Sequence, residues 1–231
     1  MEEKLWHAVE NANISEVKEL LRDHPDLDVN SRDEGEDECT VLACACILGN
    51  DSIVSLLLAH PGIDVNQKDV NGNSPFLWAC WNGRTTCVRL LLKDPRVEVN
   101  AVNHDELTPL YFASSYERLD TIRWWIASGR EMDLGEPRRY DDVLEVSTRN
   151  YIKALMERFR ENPLETRHEV RLELGLVAEL AAVMFALVVF VSDGVTASQR
   201  YGCSCCKILQ NRPEIPVGTP DGIVLQGDGI S

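Results

Sequence analysis

The chain has 231 residues, of which 38 are acidic and 23 basic, and its formal net charge is −15. This charge argues against a nucleic-acid backbone as the partner, because phosphate binding requires clustered Lys and Arg side chains. Basic protein segments or apolar helices suit an acidic surface better.

A repeated unit dominates the first two thirds of the sequence, and residues 67–100 show it most clearly. The chemistry of this stretch returns at a spacing of 34 residues. Ser74-Pro75-Phe76-Leu77-Trp78-Ala79 aligns with Thr108-Pro109-Leu110-Tyr111-Phe112-Ala113 and with Thr40-Val41-Leu42-Ala43-Cys44-Ala45. The pair Val-Asn closes three units, at residues 29–30, 65–66 and 99–100. A fixed period of this length indicates a stacked array.

The pattern resembles the ankyrin-repeat family, whose unit has a hairpin finger, a first helix beginning Thr-Pro-Leu-His-x-Ala, a Gly turn, a second helix with Val-x-x-Leu-Leu and a Val-Asn ending. The apolar second-helix positions are Val17, Leu20 and Leu21, then Val54, Leu57 and Leu58, then Val88, Leu91 and Leu92. The resemblance implies an all-α repeat solenoid of helix-turn-helix units with hairpin fingers. The units are expected at about residues 1–30, 31–66, 67–100 and 101–134, with a partial cap at 135–160.

The first unit lacks a finger and starts at once with a helix, predicted over residues 3–11. A terminal repeat is expected to look like this, since it has no neighbour on one side. Asn13 or Ser15 is predicted to cap the second helix by accepting from the free amides of its first turn. That helix should end before His24-Pro25, because proline disfavours helical geometry in the preceding residue.

We number each finger by its unit. The second finger, between Asn30 and Thr40, is two residues longer than the third, between Asn66 and Ser74. It is strongly acidic, with Asp33, Glu34, Glu36, Asp37 and Glu38 in six residues. It could receive a basic ligand. A solvated loop that keeps the protein soluble is the interpretation we favour, because runs of like charge usually have no partner.

Glycines in the turns are expected to take positive φ, which a residue without Cβ does without strain. They are Gly49, Gly72 and Gly83. The fourth unit departs from the pattern, since Glu106 and Glu117 replace the last two glycines and Leu134 replaces the closing Asn. Left-handed geometry costs a non-glycine residue about 1–2 kcal/mol. We therefore expect the fourth unit to be distorted or less stable than its neighbours.

The repeat register weakens after residue 134. In the partial cap, Tyr151 stands where a turn glycine is expected. Residues 161–194 are predicted to form an appended apolar helix, over residues 165–191, and residues 195–231, rich in Gly and Pro, are predicted to be largely disordered.

The appended helix is too short for a typical bilayer span. Its uninterrupted apolar run, Leu180 to Val191, has 12 residues, or about 18 Å of helix against a hydrocarbon core of about 30 Å. We expect it to pack against the array or a partner. Two alternatives are a membrane-associated adaptor anchored by residues 176–191 and a subunit that dimerises through the same helix.

The eight cysteines fall at positions 39, 44, 46, 80, 87, 203, 205 and 206. The first five lie within the repeats, where buried free thiols acting as small hydrophobes imply a reducing compartment, cytoplasmic or nuclear. The N-terminus has no basic region followed by an apolar core, so we expect no secretory signal. Cys203, Cys205 and Cys206 lack the second ligand pair of a zinc site; acylation is an alternative, and unpartnered thiols are the simpler interpretation.

No other motif points to chemistry. The five histidines have no metal-ligand or catalytic spacing, no glycine-rich phosphate loop is present, and no nucleophile has a matched base. We expect no cofactor, no metal and no enzymatic activity, since the repeat fold itself implies none.

The resemblance implies a non-catalytic adaptor that binds a protein partner on the concave face, formed by the finger tips and the exposed ends of the first helices. Carried over by register, the predicted contact residues are Ile47, Leu48, Val70, Asn71, Asn73, Trp81, Asn82, His104, Leu107, Ser115 and Tyr116, together with Glu36, Asp37, Cys39 and Asp105. An apolar centre with an acidic rim suits a binding hot spot. For Trp81 the alternative is a ring that only packs against the next repeat. Trp78, Phe112 and Trp125 fall at interior positions, where we expect core packing.

Overall fold

The computed structural model describes residues 1–33, 38–134 and 146–176, with side chains from residue 150 in the last segment. These residues form α1 (Glu2–Glu10), α2 (Ile14–Asp23), α3 (Val41–Leu48), α4 (Asp51–Leu58), α5 (Pro75–Trp81), α6 (Thr85–Lys93), α7 (Pro109–Ser115), α8 (Leu119–Ser128), α9 (Val146–Glu161) and α10 (Pro163–Glu173). Within the described ranges there is no strand, only one antiparallel bridge between Arg32 and Thr40. The predicted all-α repeat solenoid is confirmed.

The helices pack in two layers because each pair has an apolar side to bury. The first helices α1, α3, α5 and α7 contact one another in sequence, and the second helices α2, α4, α6, α8 and α10 do the same. One apolar cluster runs between the layers from Leu5 to Val170, and Trp125 is its largest fully buried side chain. The core therefore grows along the stack, as expected for repeats that cannot bury their apolar side alone.

Each first helix starts where the sequence places a hydroxyl residue. The side chains of Thr40, Ser74 and Thr108 accept from the backbone N–H three residues on, at 3.1–3.2 Å. Asn13 caps α2 by accepting from the Glu16 N–H, which confirms one of the two predicted caps. These bonds satisfy amides that the helix leaves without a partner, so they fix the helix starts.

The closing Asn of each unit links it to the next. The Asn66 side chain donates to the Arg96 carbonyl at 2.8 Å and accepts from the Glu98 N–H at 2.8 Å. Asn30 and Asn100 make the equivalent pair of bonds with the units that follow them. The repeated Asn is thus a bridge between backbones, which explains why its side chain must both donate and accept.

The turn glycines have positive φ, as predicted, and they also make room for an arginine of the next unit. Gly49 has φ +79°, and a Cβ there would lie 2.7 Å from Cδ of Arg84, whose Nε donates to the Ile47 carbonyl at 2.9 Å. Gly83 and Arg118 repeat the arrangement, with the added Cβ at 2.5 Å from Cδ. Two conditions therefore favour glycine at these turns: the positive φ and the arginine of the next unit, which occupies the space that a Cβ would need.

Where the following unit carries no arginine at this point, a residue other than glycine occupies the turn between the two helices. Ala12 and Glu117 take φ +54° and +57°, and the residues that precede the second helix of the following unit, where Arg84 and Arg118 stand in theirs, are Asn50 and Asn162. The expectation that the fourth unit is distorted is wrong, because α7 and α8 form the normal pair and Glu117 adopts the left-handed angle. Its lower stability stays a prediction.

The C-terminal part of the array differs from the sequence prediction. α9 runs through Tyr151 without a turn, so the predicted helix-turn-helix within residues 135–160 is wrong, and α10 is the second helix of this unit. α10 ends at Glu173 and Gly175 has φ +68°, so the helix predicted over residues 165–191 is interrupted there. The run 177–194 and the predicted disordered segment 195–231 lie outside the described residues.

Two arginines attach α10 to the array. Arg167 Nε donates to the Ile126 carbonyl at 3.2 Å, and Arg171 Nε donates to the Ala127 carbonyl at 2.7 Å. Both acceptors belong to the last turn of α8, whose carbonyls have no partner within the helix. α10 thus continues the second-helix layer.

Candidate binding surface

The third finger is built around the buried carboxylate of Asp69. One oxygen accepts from the N–H groups of Asn71 and Asn73 at 2.9 and 2.8 Å, and the other accepts from Trp78 Nε1 at 2.9 Å. The Asn73 side-chain amide also donates to this second oxygen, at 3.1 Å, and a carboxylate holding four donors fixes the loop. The tip residues Val70 and Asn71 are consequently exposed on an ordered support.

The third and fourth fingers are hydrogen-bonded to each other. Asn73 Oδ1 accepts from Asn103 Nδ2 at 3.2 Å, and the Asn71 carbonyl accepts from the His104 N–H at 3.0 Å. Asn73 is only 3% exposed and its side chain is used inside this network. Its prediction as a partner contact is therefore wrong: Asn73 supports the finger tips from beneath.

A row of aromatic rings crosses the centre of the predicted concave face. The half-buried ring of Trp81 stacks on Trp78 at 5.0 Å between centroids and on Phe112 at 4.4 Å, and Tyr116 lies tilted at 5.5 Å. These contacts cross from α5 to α7, so the alternative interpretation of Trp81, packing against the next repeat, holds at least in part. Within the described residues its indole N–H has no acceptor, since its contacts are the three rings and the Arg118 bond to its carbonyl.

Several side chains in and beside this aromatic row are exposed. Leu48 at the end of α3 is 43% exposed and Tyr116 at the end of α7 is 46% exposed, while Ile47 is half-buried. Asn82, Leu107 and Ser115 are half-buried, and His104 is exposed. The described residues of the predicted surface, apart from Asn73 and the buried Cys39, therefore have some solvent-accessible area.

The predicted acidic rim is only partly described. Asp105 and Glu106 are exposed at the fourth finger. Glu36 and Asp37 of the second finger lie outside the described residues. The rim prediction for them stays a prediction.

Sequence reasoning missed Trp78 and Tyr111 as members of this surface. Trp78 was assigned to the interior, yet it is half-buried; Phe112 and Trp125 are buried as predicted. Tyr111 is half-buried and meets Phe112 edge-on at 5.5 Å. Trp78 follows the capping Ser74 by four residues and Tyr111 follows Thr108 by three, so they occupy adjacent positions of the repeat. The family pattern places core residues nearby, so it gave no signal that these two side chains reach the surface.

The described cysteines carry buried or half-buried thiols. Burial raises the pKa of the Cys44 and Cys87 thiols to about 11, and burial also raises the pKa of the Cys46 and Cys80 thiols. All five described cysteines are free thiols, and Cys44, Cys46, Cys80 and Cys87 stay protonated at neutral pH. In these ranges no three His, Cys, Asp or Glu side chains group as a metal site, while Cys203, Cys205 and Cys206 lie outside them.

Among the described helices, none combines the length and apolarity needed to cross a bilayer. The stretch 176–191, on which the anchor and dimer alternatives depend, is described only at Leu176. Both alternatives are therefore untested predictions.

Comparison with known proteins agrees with the repeat architecture. Two stretches, residues 5–103 and 61–138, match the family described as Ankyrin repeats (3 copies). A comparison with curated proteins finds no match. The family match covers more than half of the chain and coincides with the helix pairs α1 to α8. The chain belongs to the ankyrin-repeat family.

Proposed function

We propose that this protein is a non-catalytic adaptor that binds a protein partner on the concave face, with its centre at Trp81, Leu48 and Tyr116. Ankyrin repeats are generally protein–protein interaction modules, as the family match implies for this chain. The observation that supports this particular face is the aromatic row in which the half-buried Trp81 contacts the exposed Tyr116, with an indole N–H that no described residue accepts.

The physical argument rests on what such a row offers a ligand. Aromatic rings supply large contact area at low entropic cost, and Trp and Tyr are enriched among interface hot spots. Trp81 is already oriented by Trp78 and Phe112, so little ordering is lost on binding. The surrounding acids suit a partner with basic residues at the edge of an apolar segment.

The test uses exposed residues, because truncating Trp81 would also remove packing between α5 and α7. Partners are captured from a cell lysate, identified by mass spectrometry and produced pure, and their affinity is measured for Leu48→Asp and Tyr116→Ala. The matched control is Leu164→Asp, since Leu164 is 68% exposed at the start of α10, away from the concave face.

We expect Leu48→Asp to weaken the partner at least tenfold, because a charge would be buried in an apolar contact, and Leu164→Asp to leave the affinity within about twofold. Thermal unfolding of all three variants checks that the array is intact. Equal affinity for wild type, Leu48→Asp and Tyr116→Ala would remove the concave face as the binding surface.

We also propose a reducing location, cytoplasm or nucleus. The five free thiols of the repeats support it, since an oxidising compartment favours disulfide-bonded cysteines. Imaging of the tagged full-length chain with compartment markers is the test, and a location in the secretory pathway would contradict the proposal.

A further inference from the structure

A groove lies on the side of the array formed by the second helices, away from the finger tips. α2, α4 and α6 line it, and this open depression has a volume of about 550 Å³. We call it the outer groove and define it by Lys18, Ser55, Leu56, Arg89, Leu90 and Lys93. Leu56 and Leu90 are half-buried in its wall, so the groove offers apolar surface between its charged side chains.

The charge of the outer groove is opposite to that of the chain. Three of its four charged lining residues are basic, Lys18, Arg89 and Lys93, in a protein with net charge −15. The fourth, Asp51, lies in the first turn of α4, where the helix dipole favours a carboxylate. The positive charge of the groove is therefore a local property, opposite in sign to the net charge of the whole chain.

The repeat register explains why the groove opens where it does. Lys18, Ser55, Arg89 and Arg123 occupy the same position of four successive second helices, five residues after Asn13, Asn50, Arg84 and Arg118. Three of the four are long and basic, and the short Ser55 leaves a gap between Lys18 and Arg89. The gap places a hydroxyl between two cations.

The cations of the outer groove have no carboxylate partner of the kind that Arg123, at the same position of α8, has. Arg123 Nη2 donates to Glu173 Oε2 at 2.7 Å. Arg89 instead lies over the ring of Trp124, 3.8 Å from its centroid, which orients the guanidinium without neutralising it. In the described part of the chain, neither Lys18 nor Lys93 is within ion-pair distance of a carboxylate.

We propose that the outer groove is a second docking surface, for an acidic peptide segment of a partner protein that carries apolar side chains between its carboxylates. The carboxylates would pair with Lys18, Arg89 and Lys93, and the apolar side chains would contact Leu56 and Leu90. A polyphosphate such as nucleic acid is disfavoured, since three cations do not offset the repulsion from the rest of the chain. This surface is independent of the concave face.

The probe is a random 12-residue peptide library displayed on phage, selected against the full chain at low salt. Parallel selections use Lys18→Glu with Lys93→Glu, and a matched control, Lys4→Glu with Arg160→Glu. Both pairs reverse two exposed cations, and the control pair lies on α1 and α9 outside the groove. A Leu48→Asp selection separates groove binders from ligands of the concave face, since Leu48 is exposed on that face.

We expect peptides that combine Asp or Glu with Leu, Ile or Phe to be enriched on wild type, on the control pair and on Leu48→Asp. Their affinity should fall at least tenfold for Lys18→Glu with Lys93→Glu, since attraction becomes repulsion at two sites, and should weaken as salt is added. Absence of acidic peptides among the selected sequences, or equal binding to the groove variant, overturns the proposal. Self-association of wild type that the groove variant abolishes, without peptide binding, would assign the groove to a second copy and also overturn it.

Discussion

Replacing Glu117 with glycine should give a more stable fourth unit than replacing it with alanine, because this residue holds a left-handed backbone that favours glycine. Its φ is +57°, against +79° for Gly49 and +64° for Gly83 in the same turn. The turn is fixed by backbone bonds from the Glu117 N–H to the Ser114 carbonyl and from the Arg118 N–H to the Ala113 carbonyl, at 3.1 and 2.7 Å. Glu117 therefore cannot relax to negative φ without losing them.

The magnitude follows from three contributions. The left-handed angle costs a residue with a Cβ about 1–2 kcal/mol, and the extra freedom of glycine in the unfolded chain returns about 0.4–1 kcal/mol of that. Glu117 also precedes α8, so its carboxylate interacts favourably with the helix N-terminus, by about 0.3–1 kcal/mol. The matched control is therefore Glu117→Ala, which loses the carboxylate but keeps the strain.

Glu117→Gly should be more stable than Glu117→Ala by about 1 kcal/mol, which corresponds to about 2–4 °C in melting temperature for a chain of this size. Urea unfolding followed by tryptophan fluorescence measures the difference, and hydrogen exchange of the α7 and α8 amides shows whether the gain is local. If Glu117→Ala proves equally stable, the left-handed turn carries no strain and the reasoning fails.

Three further substitutions test the links between units. Asn66→Ala should destabilise the array by about 1–3 kcal/mol, because the Arg96 carbonyl and the Glu98 N–H lose their partner; urea unfolding measures it. Gly83→Ala should be less damaging in an Arg118→Ala background, since the clash with the arginine is gone while the backbone strain remains; a double-mutant cycle without coupling would contradict this. Hydrogen bonds from Arg96 lower the pKa of Asp94, so this carboxylate stabilises the fold above its unfolded pKa of about 3.9 and ceases to do so as the pH falls through its folded pKa. The stability lost in Asp94→Asn should therefore shrink below about pH 4, and a loss equal at pH 7 and pH 3 would exclude the effect.

The sequence predicted the parts of the fold that depend on local chemistry. The hydroxyl at Thr40 or Ser74 caps a helix wherever it stands, and the glycines at 49 and 83 fix the turn by their backbone angle. What the sequence did not show was the pairing of those glycines with Arg84 and Arg118 one unit later. Such a contact depends on the stacking distance between helices, which no single unit contains.

The C-terminal correction has a similar cause. The 34-residue period predicted a turn at Tyr151. No glycine stands there to favour a turn, and α9 continues through this residue because its residues can all remain helical. The interruption at Gly175 comes from a single left-handed residue inside an otherwise helical pattern. Periodicity predicts that a helix exists more securely than it predicts where the helix ends.

The candidate surface was predicted by register, and its composition could be refined only from side-chain contacts. Asn73 shares the finger with Val70 and Asn71, yet its side chain bonds Asp69 and Asn103 beneath the tip. The stacking of Trp81 between Trp78 and Phe112 likewise follows from the approach of α5 and α7. The repeat register predicts which residues lie near a surface. Contacts with neighbouring units then decide whether a side chain can reach a partner or is used within the array.

Hydrogen–deuterium exchange of the protein with and without its captured partner tests the concave face most directly. The account predicts slower exchange at the ends of α3, α5 and α7 and at the tips of the third and fourth fingers, with α4 and α6 unchanged. Protection confined to the second helices, with the aromatic row exchanging as in the free protein, would contradict it.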